Sequence, residues 1–358
     1  MMDFKRLILA VVFAFSVIML WERWVQYTTP PAVPEAAQSA TVDASIPSPM
    51  ASGAAASASV ALPGAVASGY ADAPRAVVKT DTMIATVSAL GGDVLRVELT
   101  QHKDAEDHSK NFVVLQENGA HQYVANTGLL GAEGLPTHKT LFALDAGEYQ
   151  LKDGEDKLVL RLRAPAENGV EVTKLLTFNR ASYVIDVAYE VNNTTDKPLN
   201  ATAYFQLARD GQAAEHSAGI FGGVSTFTGP AFFTNEGKFE KVQFKDIEQG
   251  KAEHVKKSWD GWVAMVQHYF VSAWLPAAEM DREFFTHKIG NDFYGAGVKL
   301  PLEVAAGTKG EITVPLYVGP QEQDKLKALA PGFNKVVDYG MVTIFAEPLF
   351  WVLSMIYK

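Results

Sequence analysis

The sequence predicts a mainly β protein, a large antiparallel structure of two sheets packed face to face, with an apolar segment at each end of the chain. Three observations support this. Apolar residues recur with period two: Tyr183, Ile185, Val187, Tyr189 and Val191 alternate with a mixed set, and Leu158, Leu160 and Leu162 alternate with Lys157, Arg161 and Arg163. Turn chemistry separates such runs at Asp153-Gly154, Asn168-Gly169, Asn192-Asn193 and Gly222-Gly223. Strong helical periodicity is absent until Gln321–Leu329 (QEQDKLKAL). No fixed-period repeat of the propeller or solenoid kind is present.

The first element, residues 1–27, is predicted to be a transmembrane anchor. Leu7–Trp21 carries no charge and a single polar side chain, Ser16. On an insertion scale its ten Leu, Ile, Val and Phe residues sum to about −4 kcal/mol, enough to favour a spanning helix. Lys5 and Arg6 precede the run, which keeps the amino terminus cytoplasmic and sends the rest of the chain across the membrane. A cleavable signal shares this charged start but ends at small residues. Here the run ends in Trp21, Trp24 and Tyr27, which suit the headgroup level, so an uncleaved anchor is expected.

Residues 28–75 read as a linker rich in Ala, Pro, Ser, Val and Gly. Such a stretch lacks the large apolar side chains that offset backbone ordering. As a coil it would separate its ends by about 40 Å, a tether between membrane and domain. Residues 76–318 form the β domain, and 319–337 a helical connector.

The last element, 338–358, is apolar yet carries Glu347-Pro348 at its centre. On a helix Thr343, Glu347, Ser354 and Lys358 fall within about 60° of one another, a narrow polar stripe. A central glutamate costs several kcal/mol in hydrocarbon, so an amphipathic helix lying in the membrane interface is expected rather than a spanning one. Trp21, Trp24, Glu347, Pro348, Phe350 and Trp351 are the candidate membrane-interface residues.

Composition excludes several classes. The chain has 358 residues, 48% hydrophobic, and a formal charge of −10 with no basic stripe, which argues against nucleic acid as a partner. It has no cysteine, so disulfides, thiolate metal sites and cysteine nucleophiles are ruled out. None of the eight histidines pairs at metal-ligand helical spacing, and no HExxH occurs. Ser225 lacks a nucleophile-elbow frame. Gly295-Ala296-Gly297 lacks the third glycine and helix of a dinucleotide fingerprint and reads as a bulge or turn. No catalytic, cofactor-binding or metal residue is nominated, and no enzyme is expected.

Several longer motifs are more specific. Trp259–Pro276 (WDGWVAMVQHYFVSAWLP), Gly229-Pro230-Ala231, Tyr317-Val318-Gly319-Pro320 with Gln323–Leu326, Ala330-Pro331-Gly332 and Glu347-Pro348-Leu349-Phe350 occur in order. Together they resemble the YidC family of bacterial membrane protein insertases, over nearly the whole chain outside the linker. The resemblance implies a β-supersandwich periplasmic domain similar to the galactose mutarotase fold, an inner-membrane location, and no cofactor. It implies as partners nascent inner-membrane proteins, the Sec translocon with its accessory subunits, and the lipid bilayer. It further implies transmembrane helices beyond Lys358 that carry the insertase groove, so a fragment, a truncated product or one piece of a split protein is expected. Trp259, Gly261, Trp262, Tyr269, Phe270, Trp274 and Pro276 are expected to have a structural role, with the large apolar side chains filling a core or sealing a strand edge. Two other functions stay open: a carbohydrate-binding or epimerase-like domain, which would need a His beside a carboxylate in a sugar-sized cleft, and a partner-recruiting scaffold.

Overall fold

The computed structural model describes residues 70–337, apart from 106, 118–121, 145–146 and 213–226. The expected anchor, most of the linker and the 338–358 segment, with Trp21, Trp24, Glu347, Pro348, Phe350 and Trp351, lie outside the described residues, as do Ser225 and Gly222-Gly223. Among the described residues no helix is long and apolar enough to cross a membrane.

Among the described residues eighteen strands, numbered in chain order, form two sheets. The larger holds β1 (Arg75–Lys79), β2 (Met83–Ser88), β3 (Val94–Lys103), β4 (Asn111–Leu115), β5 (Tyr123–Leu130), β6 (Gly147–Gln150), β10 (Leu199–Asp210), β13 (Lys257–Ser258), β16 (Arg282–Gly290) and β17 (Phe293–Val304). The smaller holds β7 (Lys157–Arg163), β8 (Val170–Asn179), β9 (Val184–Asn193), β11 (Gly229–Thr234), β12 (Lys238–Lys241), β14 (Trp262–Val266), β15 (Phe270–Trp274) and β18 (Lys309–Pro320). Their orders are β13-β16-β17-β10-β5-β3-β2-β1-β6, with β4 on β3, and β12-β11-β14-β15-β18-β9-β8-β7. Every pairing is antiparallel except β1 with β6. The mainly β, two-sheet architecture is therefore the one the periodicity predicts.

The alternation works as a burial code. In β9 Ile185, Val187, Tyr189 and Val191 are buried, and in β7 Leu160 and Leu162 are buried between exposed Lys157, Arg161 and Arg163. These side chains meet the inner face of the larger sheet. Phe205 of β10 contacts Trp274 of β15 at 5.2 Å between ring centroids, and Thr127 of β5 bonds the Tyr189 hydroxyl at 2.7 Å. One apolar core spans both sheets.

The turn residues divide. Asn168 and Gly169, with φ of 52° and 75°, close the β7–β8 hairpin as two consecutive left-handed residues must. Asn192 and Asn193 do not form a turn; they end β9, and buried Asn193 holds the following turn by donating to the Lys197 carbonyl at 2.8 Å. Gly295 and Gly297 are likewise neither bulge nor turn. They sit in register within β17, and a Cβ on either would collide with the rings of His287 and Phe285 on β16.

Among the described residues there are also two helices and a turn: α1 (Phe244–Glu248), α2 (Gln323–Leu329) and a 3-10 turn at Phe333–Val336. At five residues α1 is too short to show periodicity, which is why the sequence does not announce it. At the other end the fold takes in more of the linker than expected. Tyr70 is buried, and its hydroxyl donates to Asp93 at 2.7 Å while accepting from Asn126 at 2.8 Å. Asp93 is itself buried; burial raises its pKa, opposed by the nearby Lys174 ammonium.

Candidate interaction cleft

The described residues hold no cluster of three metal-ligating side chains. The described histidines mostly pack. His254 stacks on Phe232 at 4.2 Å, accepts from Lys256 and faces the Val255 carbonyl; burial lowers its pKa to about 4. His138 lies in the core against the Tyr204 hydroxyl, at 2.5 Å, within electrostatic reach of buried Asp93. His102 bonds Tyr183 at 3.1 Å, and His108 and His268 are exposed. Among the described histidines, His138 lies near the Asp93 carboxylate and His102 near that of Glu322; His138 and Asp93 are both buried inside the fold.

The Trp259–Pro276 motif builds the β14–β15 hairpin and the loops at its open end. Trp262 and Trp274 are fully buried, with Val263 and Met265. Phe270 is half-buried and stacks on Phe112 at 3.9 Å. Trp259 and Tyr269 depart from the expected core: they are 70% and 69% exposed. Trp259 precedes β14 in a loop, and Tyr269 occupies the hairpin tip, so neither is covered by the facing sheet as mid-strand residues are. Their types suggested packing; their places in the chain leave them outside it.

Gly261 permits the tight approach of β14 to β11. Its φ is +94°, and a Cβ there would run into the Phe233 carbonyl oxygen. Immediately beyond it Trp262 ties the motif to the connector. Its indole N–H donates to the Pro331 carbonyl at 3.0 Å, and its ring stacks on Phe233 at 5.7 Å and meets Phe333 edge-on at 5.0 Å. Phe333 also meets Tyr317 at 5.5 Å. Gly332, at φ +70°, enters the 3-10 turn against the Phe233 ring, where no larger residue fits. At the start of α2 the Gln321 amide donates to the Gln267 and Phe270 carbonyls at 2.7 and 3.0 Å. The connector is thus docked at both ends on the smaller sheet.

Between motif and connector lies a cleft of about 300 Å³. Phe233, Gly261 and Trp262 form one wall, Leu275–Ala278 a second, and Leu329–Pro331 the third. Asn235 and Asp260 supply its polar side; Asp260 accepts from the Ser258 hydroxyl at 2.9 Å and the Asn235 amide at 3.2 Å. A cavity of this size with a mostly apolar lining fits one or two large apolar groups.

The residue that shapes this cleft is one sequence reasoning missed. Arg282, the first residue of β16, is buried, and its guanidinium donates to five main-chain carbonyls. They belong to Met280, Gly261, Trp259 and Pro276, at 2.9, 2.6, 3.2 and 3.5 Å, and to Ala277. The planar fork gathers both loops of the motif at once, which a lysine's single ammonium could not do. Desolvation lowers its pKa, with the Asp260 carboxylate opposing. Within Asp281-Arg282-Glu283 the arginine reads as one more solvated charge, and no local signal marks it as buried.

The model of the YidC periplasmic domain family matches residues 75–352. The protein named membrane protein insertase YidC from Aromatoleum aromaticum is 52% identical over 99% of this chain, and that from Dechloromonas aromatica 46% over all of it. In both cases the chain spans 64% of the relative's length. Among solved structures, a galactose mutarotase related enzyme from Lactobacillus acidophilus covers 68% of this chain and 97% of its own, with a TM-score of 0.42 and 7% identity. From the match across β1 to the connector and beyond, the chain belongs to the YidC periplasmic domain family.

Proposed function

We propose that this chain is the anchor and periplasmic portion of a membrane protein insertase and chaperone. It assists inner-membrane proteins to integrate and fold, alone or beside the Sec translocon. The observation that carries this reading is the family match, which runs from the first strand through the connector into the apolar C-terminal segment. The locked connector supports it, since a domain fused to its membrane link through Trp262, Phe333 and Gln321 moves as one piece with that link. In this reading residues 1–27 anchor the chain with a cytoplasmic amino terminus, the β domain lies in the periplasm, and 338–358 lies along the outer leaflet. The role is positional and non-enzymatic.

The test is a chimera in which this chain replaces the matching part of the Aromatoleum relative, in cells depleted of their own insertase. Protease protection of a newly made inner-membrane protein should show insertion restored to the relative's level. A chimera that accumulates folded in the membrane yet restores no insertion would refute the reading.

A further inference from the structure

Trp259 is the most exposed large apolar side chain among the described residues, yet its main chain is tied down. Arg282 pins the Trp259 carbonyl, and the Met280 amide donates to the same oxygen at 3.1 Å. A large aromatic on a pinned main chain has less backbone entropy to lose on making a contact, which is how anchors at interfaces are built. Its surroundings extend the apolar surface. The next two residues, Asp260 and Gly261, line the cleft, with Pro276, Ala277 and exposed Leu329.

What could cover this surface is limited by where the chain goes next. Pro331 lines the cleft and Val337 follows six residues later, no more than roughly 20 Å away even if extended. The apolar run Tyr339–Tyr357 then begins, with Trp351 and the Glu347 stripe. If that run lies in the membrane interface, as in the function proposed above, the cleft side of the domain is held at the bilayer surface.

We propose that Trp259, Leu329 and the mouth of the cleft form a bilayer-contacting face, with Trp259 seated at the headgroup level. Trp favours that layer because its ring is apolar while its N–H still reaches polar partners. The rim carries both charge signs. Lys335 lies over the Phe233 ring and Lys238 donates to the Asn235 carbonyl, while Asp260, Glu279 and Asp281 stand on the facing loops. The contact is therefore apolar rather than ionic, and a zwitterionic lipid satisfies it. Tyr269 supplies the counter-case. It is equally exposed but sits at the far tip of the hairpin, beyond the five residues of β14 or roughly 17 Å of strand from the Trp259 loop, and stays in water.

The chain has no cysteine, which permits a direct test in the full-length protein. Single variants Trp259→Cys, Leu329→Cys, Tyr269→Cys and Leu349→Cys, the last on the helix face opposite the Glu347 stripe, are labelled with a polarity-sensitive fluorophore and reconstituted into phosphatidylcholine vesicles, with and without brominated acyl chains. Labels at 259, 329 and 349 should shift to shorter wavelength and be quenched by bromine, unchanged by added salt, while the label at 269 is not. Quenching at 349 with a water-like signal at 259 and 329 overturns the bilayer face and leaves the interfacial segment standing. A water-like signal at 349 removes the segment reading as well. A blue-shifted label at 259 that bromine fails to quench means that protein, not lipid, covers the cleft, and also overturns the proposal. Circular dichroism of each variant confirms that the β fold is intact before the signals are compared.

Discussion

Replacing Trp262 by alanine isolates the join between the β domain and its connector. The ring is buried, so its loss returns about 200 Å² of apolar surface to the account, worth about 5 kcal/mol at 25 cal/mol per Å². Two features of the site adjust that value. The vacated space adjoins a cleft of about 300 Å³ and can fill with water, which relieves part of the cavity penalty. Against that, the Pro331 carbonyl loses its indole donor, and a hydrogen bond of this kind contributes about 1 kcal/mol. The net expectation is a loss of about 3–4 kcal/mol, within the range for large aromatic truncations. The effect should also be local. Phe333 loses its edge-on partner, so Leu326–Val337 should exchange amide hydrogens faster than the central strands β9 and β18. Urea unfolding of the full chain in detergent measures the first quantity and hydrogen exchange read by mass spectrometry the second. A variant that unfolds within about 0.5 kcal/mol of the parent, a surface-like effect, with unchanged connector protection would refute the idea that Trp262 docks the connector.

Three further outcomes are expected. Arg282→Met should destabilise by about 3 kcal/mol or more and expose the 275–280 loop to protease, and Arg282→Lys should not rescue it, because one ammonium cannot serve five carbonyls; full rescue by lysine in urea melts would contradict this. Tyr70→Phe removes the hydroxyl shared by Asp93 and Asn126 and should cost about 1–3 kcal/mol, whereas a chain that starts after residue 70, and so lacks the buried ring as well, should lose more; an unchanged melt would place Tyr70 outside the fold. Burial holds the folded pKa of His254 at about 4, below the ordinary histidine value, so below pH 6.5 the unfolded chain binds the extra proton and stability falls as pH drops from 6.5 towards 4; buried His287, also lowered to about 4, acts over the same window, so His254→Phe should lessen the slope without abolishing it, and identical slopes for parent and variant would show that His254 does not titrate there.

The comparison of Trp262 with Trp259 shows where reading the chain works and where it stops. Both belong to one motif and both are tryptophan, so residue type gives the same expectation for each. Trp262 begins β14 and is covered by the facing connector, while Trp259 stands three residues earlier, outside the sheet. Arg282 is the converse case, a charge that residue type sends to the surface and geometry sends inside. Tyr70 was hidden for another reason: a lone aromatic at the end of an Ala/Pro/Ser-rich stretch has no periodic neighbours to reveal its burial. The cleft itself combines residues near 233, 261, 276 and 330, and nothing local in any of the four segments signals the other three.

What the sequence determined by itself was the class of the fold, the family, and the positions of the apolar ends, because strand periodicity, turn residues and long ordered motifs are encoded within short windows of chain. Even the connector helix was visible within two residues of its start. The tertiary structure alone decided which motif residues are buried, what Arg282 holds, and that the connector and hairpin enclose a cleft. Those depend on which strands become neighbours, a choice made by packing two sheets over one core, and burial and hydrogen-bond partners follow from that packing rather than from any residue's own chemistry.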